Sequence, residues 1–500
     1  MSEVSLVNDK RPRIELPGDN RLVSDFATDL GKALHNADIF SRGGLVYTLT
    51  PTGDALQIIS ADTFTTWAEQ FVVGYRQKPS VAGTQTVQLK RTMGEHVAGA
   101  VLASPQFIAQ LRPVERFNPI RLPIIDRYGK GLLKILPEGY DDDSCTFTRE
   151  GGVGYTDKLP LTESKAIIEE LLGEFGFADS GRSRSVALAG MLTVFGSQLL
   201  PKGAIRPCFV YLANAEGAGK TLLVKCATVP VLGISPASTY PSEETEMAKL
   251  LLSTVLELRP VLLLDNVKGR LSSESLEGFL TAQQWSGRVL GGSRTFTGDN
   301  NVTVFATGNG CTVSPDMRRR SLFCELFLKE ERAEDRQFTQ PLETSVLLDR
   351  REYILTAMMG LVRNWATVGM PKASRSHSSF SEWADIIGGI VEAAGYPSPL
   401  DTPNIAGAAD VDGDDMRSLV TALTEEGPLK AVCFDDLISL CKERGLFEAA
   451  IDMMDGKAKS AKSVLSSTFR RYDGRIIGKC RFELIGKGRN RLYRSERIAQ

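Results

Sequence analysis

The chain has 500 residues, 42% of them hydrophobic, and a formal net charge of −2. That is apolar material for two to four domains, since single cores rarely grow past about 250 residues. The near-neutral balance argues against a uniformly basic nucleic-acid coat, yet residues 457–500 carry 13 Lys and Arg against 3 Asp and Glu, so this tail alone can lie on phosphates.

The N-terminal stretch MSEVSLVNDKRPRIELPG is charged and does not read as a signal peptide, so a cytoplasmic protein is expected. Up to about residue 150 the signals are mixed, and an α+β N-terminal domain is expected. Gly43-Gly44 leads into LVYTLT, HVAGAVLASPQFIAQL at 96–111 is helical, and RLPIIDRYGKGLLKILPEG at 121–139 reads as two strands around a turn. The polar, glycine-rich run at about 141–160 reads as a linker, and its Asp141, Asp142 and Asp143 as a solvated acidic turn.

From Thr162, a candidate helix cap, Ile167, Ile168, Leu171 and Leu172 share one helical face. SVALAGMLTVFGSQLL at 185–200 is too short and too interrupted to span a bilayer, so it reads as a buried helix with no membrane contact. A strand CFVYL at 208–212 follows, then a glycine-rich loop and a helix ended by Pro230. Next come the helix ETEMAKLLLSTVLELR, the strand VLLLD at 261–265 and a capped helix SSESLEGFLTAQQ. The strands VTVFATG at 302–308 and SLFCELF at 321–327 close the set. Alternating strands and helices predict a largely parallel sheet covered on both faces, in a domain spanning about 160–400.

Amphipathic helices run from about 344 to 396, and 397–415 reads as a second linker. Residues 415–500 then give three helices and a basic hairpin around Gly486-Lys487-Gly488, an order that resembles a winged-helix module. Eight cysteines without a CxxC pair and three distant histidines, His35, His96 and His377, point to reduced thiols and argue against a zinc site.

The chemistry concentrates in the loop after CFVYL. Phosphate binding needs backbone N–H groups free to approach, a lysine against the β/γ charge and a hydroxyl for Mg²⁺. Asn214, Glu216, Gly217, Ala218, Gly219, Lys220 and Thr221 supply that pattern, with Asn214 in place of the usual first glycine. Asp265 ends an apolar strand, where an acid holds the Mg²⁺ shell. Asn266 stands where many such ATPases keep an acid to activate water, which leaves the general base unassigned. Asn309 falls at a strand end, where its amide can orient the attacking water, and Arg318, Arg319 and Arg320 precede the next strand. The set is the layout of an ATPase, with ATP and Mg²⁺ as cofactors, in which an arginine reaches a neighbour's nucleotide.

GAGKT, LLLDN, ATGN and RRR, in this order and spacing, resemble a superfamily 3 type AAA+ helicase. RVLGGSRTF, FATGNG, DMRRRSLFCEL and FSEWADIIGGIVEAAGYPSPL are similar to replicative helicases of phages, plasmids and integrative elements. The resemblance covers about 185–400. It implies a P-loop AAA+ core, a homo-hexameric ring on single-stranded or forked DNA, replication partners, and arginine fingers in trans on Arg319 and Arg320. It also implies a DNA-gripping hairpin at 285–301, with Arg288 and Arg294 as candidates. In the tail, Arg470, Arg471, Lys487, Arg489 and Arg491 are candidate DNA contacts, and Arg494 joins them on the hairpin. Two other classes keep the same core: an ATP-dependent regulator or defence switch without unwinding, and a DNA-binding initiator with a degenerate ATPase, which Asn266 favours.

Overall fold

The computed structural model describes residues 9–79, 86–126, 131–179, 181–213, 217–289, 295–309, 311–327, 343–401, 411–425, 431–447, 451, 465–466, 469–470, 472–474, 476–477, 480–486 and 491–497. They fall into two compact units. One comprises Met1–Val267, Ser273–Asn309 and Arg319–Pro403, the other Lys268–Ser272, Gly310–Arg318 and Asn404–Gln500.

In the first unit, the helix Val23–Leu34 buries Phe26, Ala27, Leu30 and Leu34. Asp25 in its first turn and Lys32 in its last complement the helix dipole. The strands Ile39–Arg42 and Leu45–Leu49 pair antiparallel, with Arg42 opposite Leu45. The two residues between them, Gly43 and Gly44, have φ of 55° and 78°, the left-handed pair that a tight two-residue hairpin turn requires. The 96–111 stretch forms two helices, Glu95–Leu102 and Pro105–Ile108. The break falls before Pro105, which disfavours helical backbone in the preceding residue.

Pro123–Ile125 and Leu133–Ile135 form the expected strand pair. The polar run read as a linker is different: Gly139–Asp141 and Thr146–Thr148 pair antiparallel, and the second lies parallel to Arg116–Asn118. Ser144 donates from its N–H to Asp141 Oδ2 at 2.9 Å, so the acidic residues make the turn of a hairpin.

Among the described residues, five strands form one wholly parallel sheet in the order Ala237–Thr239, Val261–Val267, Thr303–Asn309, Cys208–Ala213, Ser321–Leu326. The apolar runs that mark these strands arise because both sheet faces are covered. The helix Arg182–Phe195 is buried along almost its whole length, as its all-round apolar sequence requires. It approaches the sheet closely at Gly190, where a Cβ would stand 2.7 Å from Tyr211 Oη. Burial of a side chain such as Phe305, fully enclosed here, contributes roughly 1.5–3 kcal/mol.

Two expected boundaries move. The helix Leu161–Gly173 starts after Pro160, whose extended backbone provides the entry, and Thr162 lies inside it without capping. The helix Lys220–Leu232 contains Pro230 and ends at Gly233, with φ of 77°. Arg351 satisfies carbonyls at the open end of this helix: Nε donates to Pro230 O at 2.9 Å and Nη2 to Val231 O at 3.2 Å. Ser273 does cap its helix, accepting from Leu276 N at 3.2 Å.

The second unit contains the helices Val411–Glu425 and Phe434–Glu443 and a four-stranded sheet. Its main pair, Cys480–Ile485 and Leu492–Arg497, is antiparallel, as read from the sequence. The third helix expected in this region lies largely outside the described residues. All eight cysteines are unbridged.

Candidate functional site

The chemistry-bearing residues gather where the parallel strands end. Gly217 and Gly219 have φ of 74° and 93°, a backbone that glycine adopts without strain and that turns N–H groups toward one concavity. A Cβ on Gly219 would also press on the Phe175 ring at 3.3 Å. Lys220 opens the following helix, is only 8% exposed, and donates from Nζ to Asn309 Oδ1. Asn214 and Glu216 lie outside the described residues.

Thr221 Oγ1 donates to Asp265 Oδ1 at 2.9 Å. Thr307 Oγ1 donates to the same oxygen at 2.6 Å and accepts from the backbone N–H of Asn266 at 2.9 Å. A threonine hydroxyl and a carboxylate oxygen at this separation are hard donors suited to Mg²⁺, which takes one or two carboxylates and leaves its remaining positions to phosphates and water. Thr221 and Asp265 are therefore the residues that can hold it.

Thr307 was not singled out in the sequence, although strand alternation places it on the same face as Asn309. It is the residue that fixes Asp265 and the Asn266 backbone together.

At Asn266 the register between the Val261–Val267 and Thr303–Asn309 strands shifts, and the residue has φ of 57° with an exposed side chain. A bulge beside a site re-aims a side chain. Asn and Asp are the non-glycine residues that best tolerate this backbone. Asn266→Asp is therefore expected to keep or raise ATP turnover, because the backbone is preserved and a carboxylate can both orient water and accept its proton. Steady-state phosphate release measures this; a collapse would mean that the amide's donor hydrogens are needed and the base lies elsewhere.

Arg319 and Arg320 stand at the opposite, N-terminal end of the strands. Arg320 O accepts from Cys208 N at 2.9 Å, and Ser321 pairs with Cys208, so both arginines precede the strands that Lys220, Asp265 and Asn309 follow. Across the six-residue strand Cys208–Ala213, at about 3.3 Å per residue, that is roughly 20 Å. Arg318 belongs to the other unit.

The expected hairpin is present as Gln284–Arg288 paired with Thr295–Asp299. Arg288 is exposed in the last pair before the tip, opposite Thr295. Arg294 lies outside the described residues. The hairpin is packed tightly one pair away from Arg288: Phe296, opposite Gly287, is fully buried, Arg42 lies over its ring at 5.0 Å, and Cβ atoms added at Gly43 or Gly298 would come within 2.7 Å of that ring. On the paired strand, a Cβ at Gly287 would meet Leu252 at 2.7 Å.

In the basic tail, Arg470 is exposed and Arg491 is half-buried beside the last strand, while Arg471, Lys487 and Arg489 lie outside the described residues. Arg494 stands on the strand Leu492–Arg497 and is partly exposed. Its Nε and Nη2 donate to Glu483 Oε2 at 2.8 and 2.6 Å across the strand pair.

No family model and no curated protein matches the chain. Among solved structures, it is similar to an apo form of the NrS-1 C-terminal region at 11% identity and a TM-score of 0.38, over 80% of each chain. A second structure of that region gives 9% identity and a TM-score of 0.39, over 95% of this chain and 100% of the other. A third, described as SCCmec type IV Cch, an active helicase, gives 9% and 0.30, over 92% and 98%. At these scores the site itself has to carry the functional argument. Among the described residues no helix is long and apolar enough to cross a membrane.

Proposed function

We propose that the chain is an ATP-dependent DNA helicase or translocase of the superfamily 3 AAA+ type, acting as a hexameric ring in the replication of a phage or mobile element. The observation that carries this reading is the division of the site between the two ends of the parallel strands. Lys220, Thr221, Asp265 and Asn309 stand together at one, and Arg319 and Arg320 about 20 Å away at the other, by the strand rise above. One chain then has a nucleotide cradle without a finger and a finger without a nucleotide, and a ring of identical chains joins them.

In this reading Gly217, Gly219 and Lys220 receive the phosphates, and Asn309 orients the attacking water. Thr307 holds Asp265 in place beside Thr221. Bound Mg²⁺ supplies neutralisation of the β/γ oxygens as charge develops. The hairpin tip and the basic tail, with its winged-helix-like order, supply the DNA contacts.

A second reading, a DNA-binding initiator with a degenerate ATPase, is favoured by Asn266 in place of an acid. ATP hydrolysis by the full chain with and without single-stranded DNA separates the two. Stimulation by DNA is the result expected of the translocase, and silence under both conditions is the initiator's result. If about four to six phosphates are contacted, log affinity should fall against log salt with a slope near −3 to −5.

A further inference from the structure

A cavity of about 40 Å³ in the first unit is lined by Arg42, Arg116 and Asn118 from the N-terminal part and by Arg206, Asp299 and Asn301 from the core. Its arginines are buried, at 5% exposure for Arg42, 9% for Arg116 and 4% for Arg206. Arg42 donates to Val255 O at 2.7 Å, with Glu115 Oε2 at 3.5 Å from its Nε. Arg116 donates to Ser197 O at 2.8 Å and to Gln198 Oε1 and Asn301 Oδ1, both at 3.0 Å.

Arg206 is different. Its Nη1 reaches the carbonyls of Ala204 and Asn300 at 2.8 and 3.4 Å, but Nε and Nη2 have no hydrogen-bond partner among the described residues. The side-chain nitrogens of Asn118 and Asn301 share that condition. Of the two carboxylates of the lining, Glu115 is ion-paired with Arg42 at 3.5 Å while its Oε2 makes no hydrogen bond among the described residues, and Asp299 accepts from Gln284 Nε2 at 3.0 Å. Burial, and then the like charge on Arg116, draws Arg206 down from the usual arginine range to about 9.

A buried cation without a counter-charge costs several kcal/mol, and donors left unpaired add to that. Three buried arginines against two carboxylates leave this lining with an excess of positive charge, and its unpaired donors, Arg206 Nε and Nη2 and the Asn118 and Asn301 amides, outnumber its one unpaired acceptor, Glu115 Oε2. The space is about three times what one water needs and far below the several hundred Å³ of a nucleotide pocket.

We propose that this cavity binds one small inorganic anion, a halide or a tetrahedral oxyanion, held by Arg206 together with the side-chain amides of Asn118 and Asn301. The anion joins the strand Arg116–Asn118 to the segment leading into the first core strand, and it does so independently of the nucleotide site.

Thermal melting of the full chain at fixed pH and ionic strength, with gluconate exchanged for chloride, sulfate or phosphate, tests this. The expected result is a saturable rise of about 2–4 °C with the matching anion. A response to chloride alone assigns a halide, and a response to sulfate and phosphate alone assigns an oxyanion. Arg206→Met should abolish the rise. Asn301→Asp, which sets a carboxylate among the same donors, should melt at a temperature independent of the anion. Lys220→Ala should retain the rise, which distinguishes this cavity from phosphate bound at the Gly217–Thr221 loop. Absence of any anion-specific rise in the parent, or a parental response in Asn301→Asp, overturns the proposal. Should the Arg206→Met chain not fold, Asn301→Asp decides alone.

Discussion

Alanine at position 220 is expected to abolish ATP hydrolysis while the chain still folds. Lys220 Nζ donates to Asn309 at the strand ends where the phosphates are proposed to lie, so the substitution removes the cation that offsets their charge and the partner that orients Asn309. Because Lys220 is only 8% exposed, the change also deletes a packed stem. Losses of that kind typically cost on the order of 1 kcal/mol, a small part of a domain's stability. Phosphate release and a melting curve measured on the same preparation separate the two effects. Hydrolysis at the parental rate would show that the loop is not the phosphate site.

Arg319→Ala or Arg320→Ala is expected to depress hydrolysis by several orders of magnitude, since fingers contribute roughly 10³–10⁵ in rate where they have been removed. The strand register gives this prediction a second arm. With the arginines at the opposite end of the strands from Lys220, each variant retains an intact cradle and lacks only what it offers a neighbour. Mixing either variant with Lys220→Ala should restore activity at those interfaces where a good cradle meets a good finger. If no mixing ratio restores activity, trans action is wrong, and the ring proposed from it loses its support.

Much of the core sheet was legible because its signals are local. The runs in Cys208–Ala213 and Val261–Val267 are apolar without alternation because both faces are covered, and Ser273 caps its helix within three residues. What the sequence concealed depends on distant partners. Pro230 looked like a helix end, but the helix runs on to Leu232, and its terminal carbonyls are satisfied by Arg351, which lies 121 residues beyond Pro230. The 139–148 hairpin looked like a linker because its turn is acidic, while its partner strand, Arg116–Asn118, is a short piece with no periodicity of its own. Within the site, the motif residues were readable and Thr307 was not. A threonine in a buried strand is common, and only the fold brings its hydroxyl to Asp265. The buried arginine cavity was invisible for the same reason, since Arg116 and Asn301 meet across 185 residues.

The packing at Phe296 makes the hairpin a clamped beam. Phe296, one pair from Arg288, is wedged between the Gly43 turn and the Arg42 guanidinium, and Gly287 opposite it leaves no slack against Leu252. A sideways load applied at Arg288 falls one residue from this clamp, so it is passed onward rather than absorbed by bending of the strands. The structure that receives it is the tight turn between Ile39–Arg42 and Leu45–Leu49, so the N-terminal part is the anvil behind the hairpin for any load placed there.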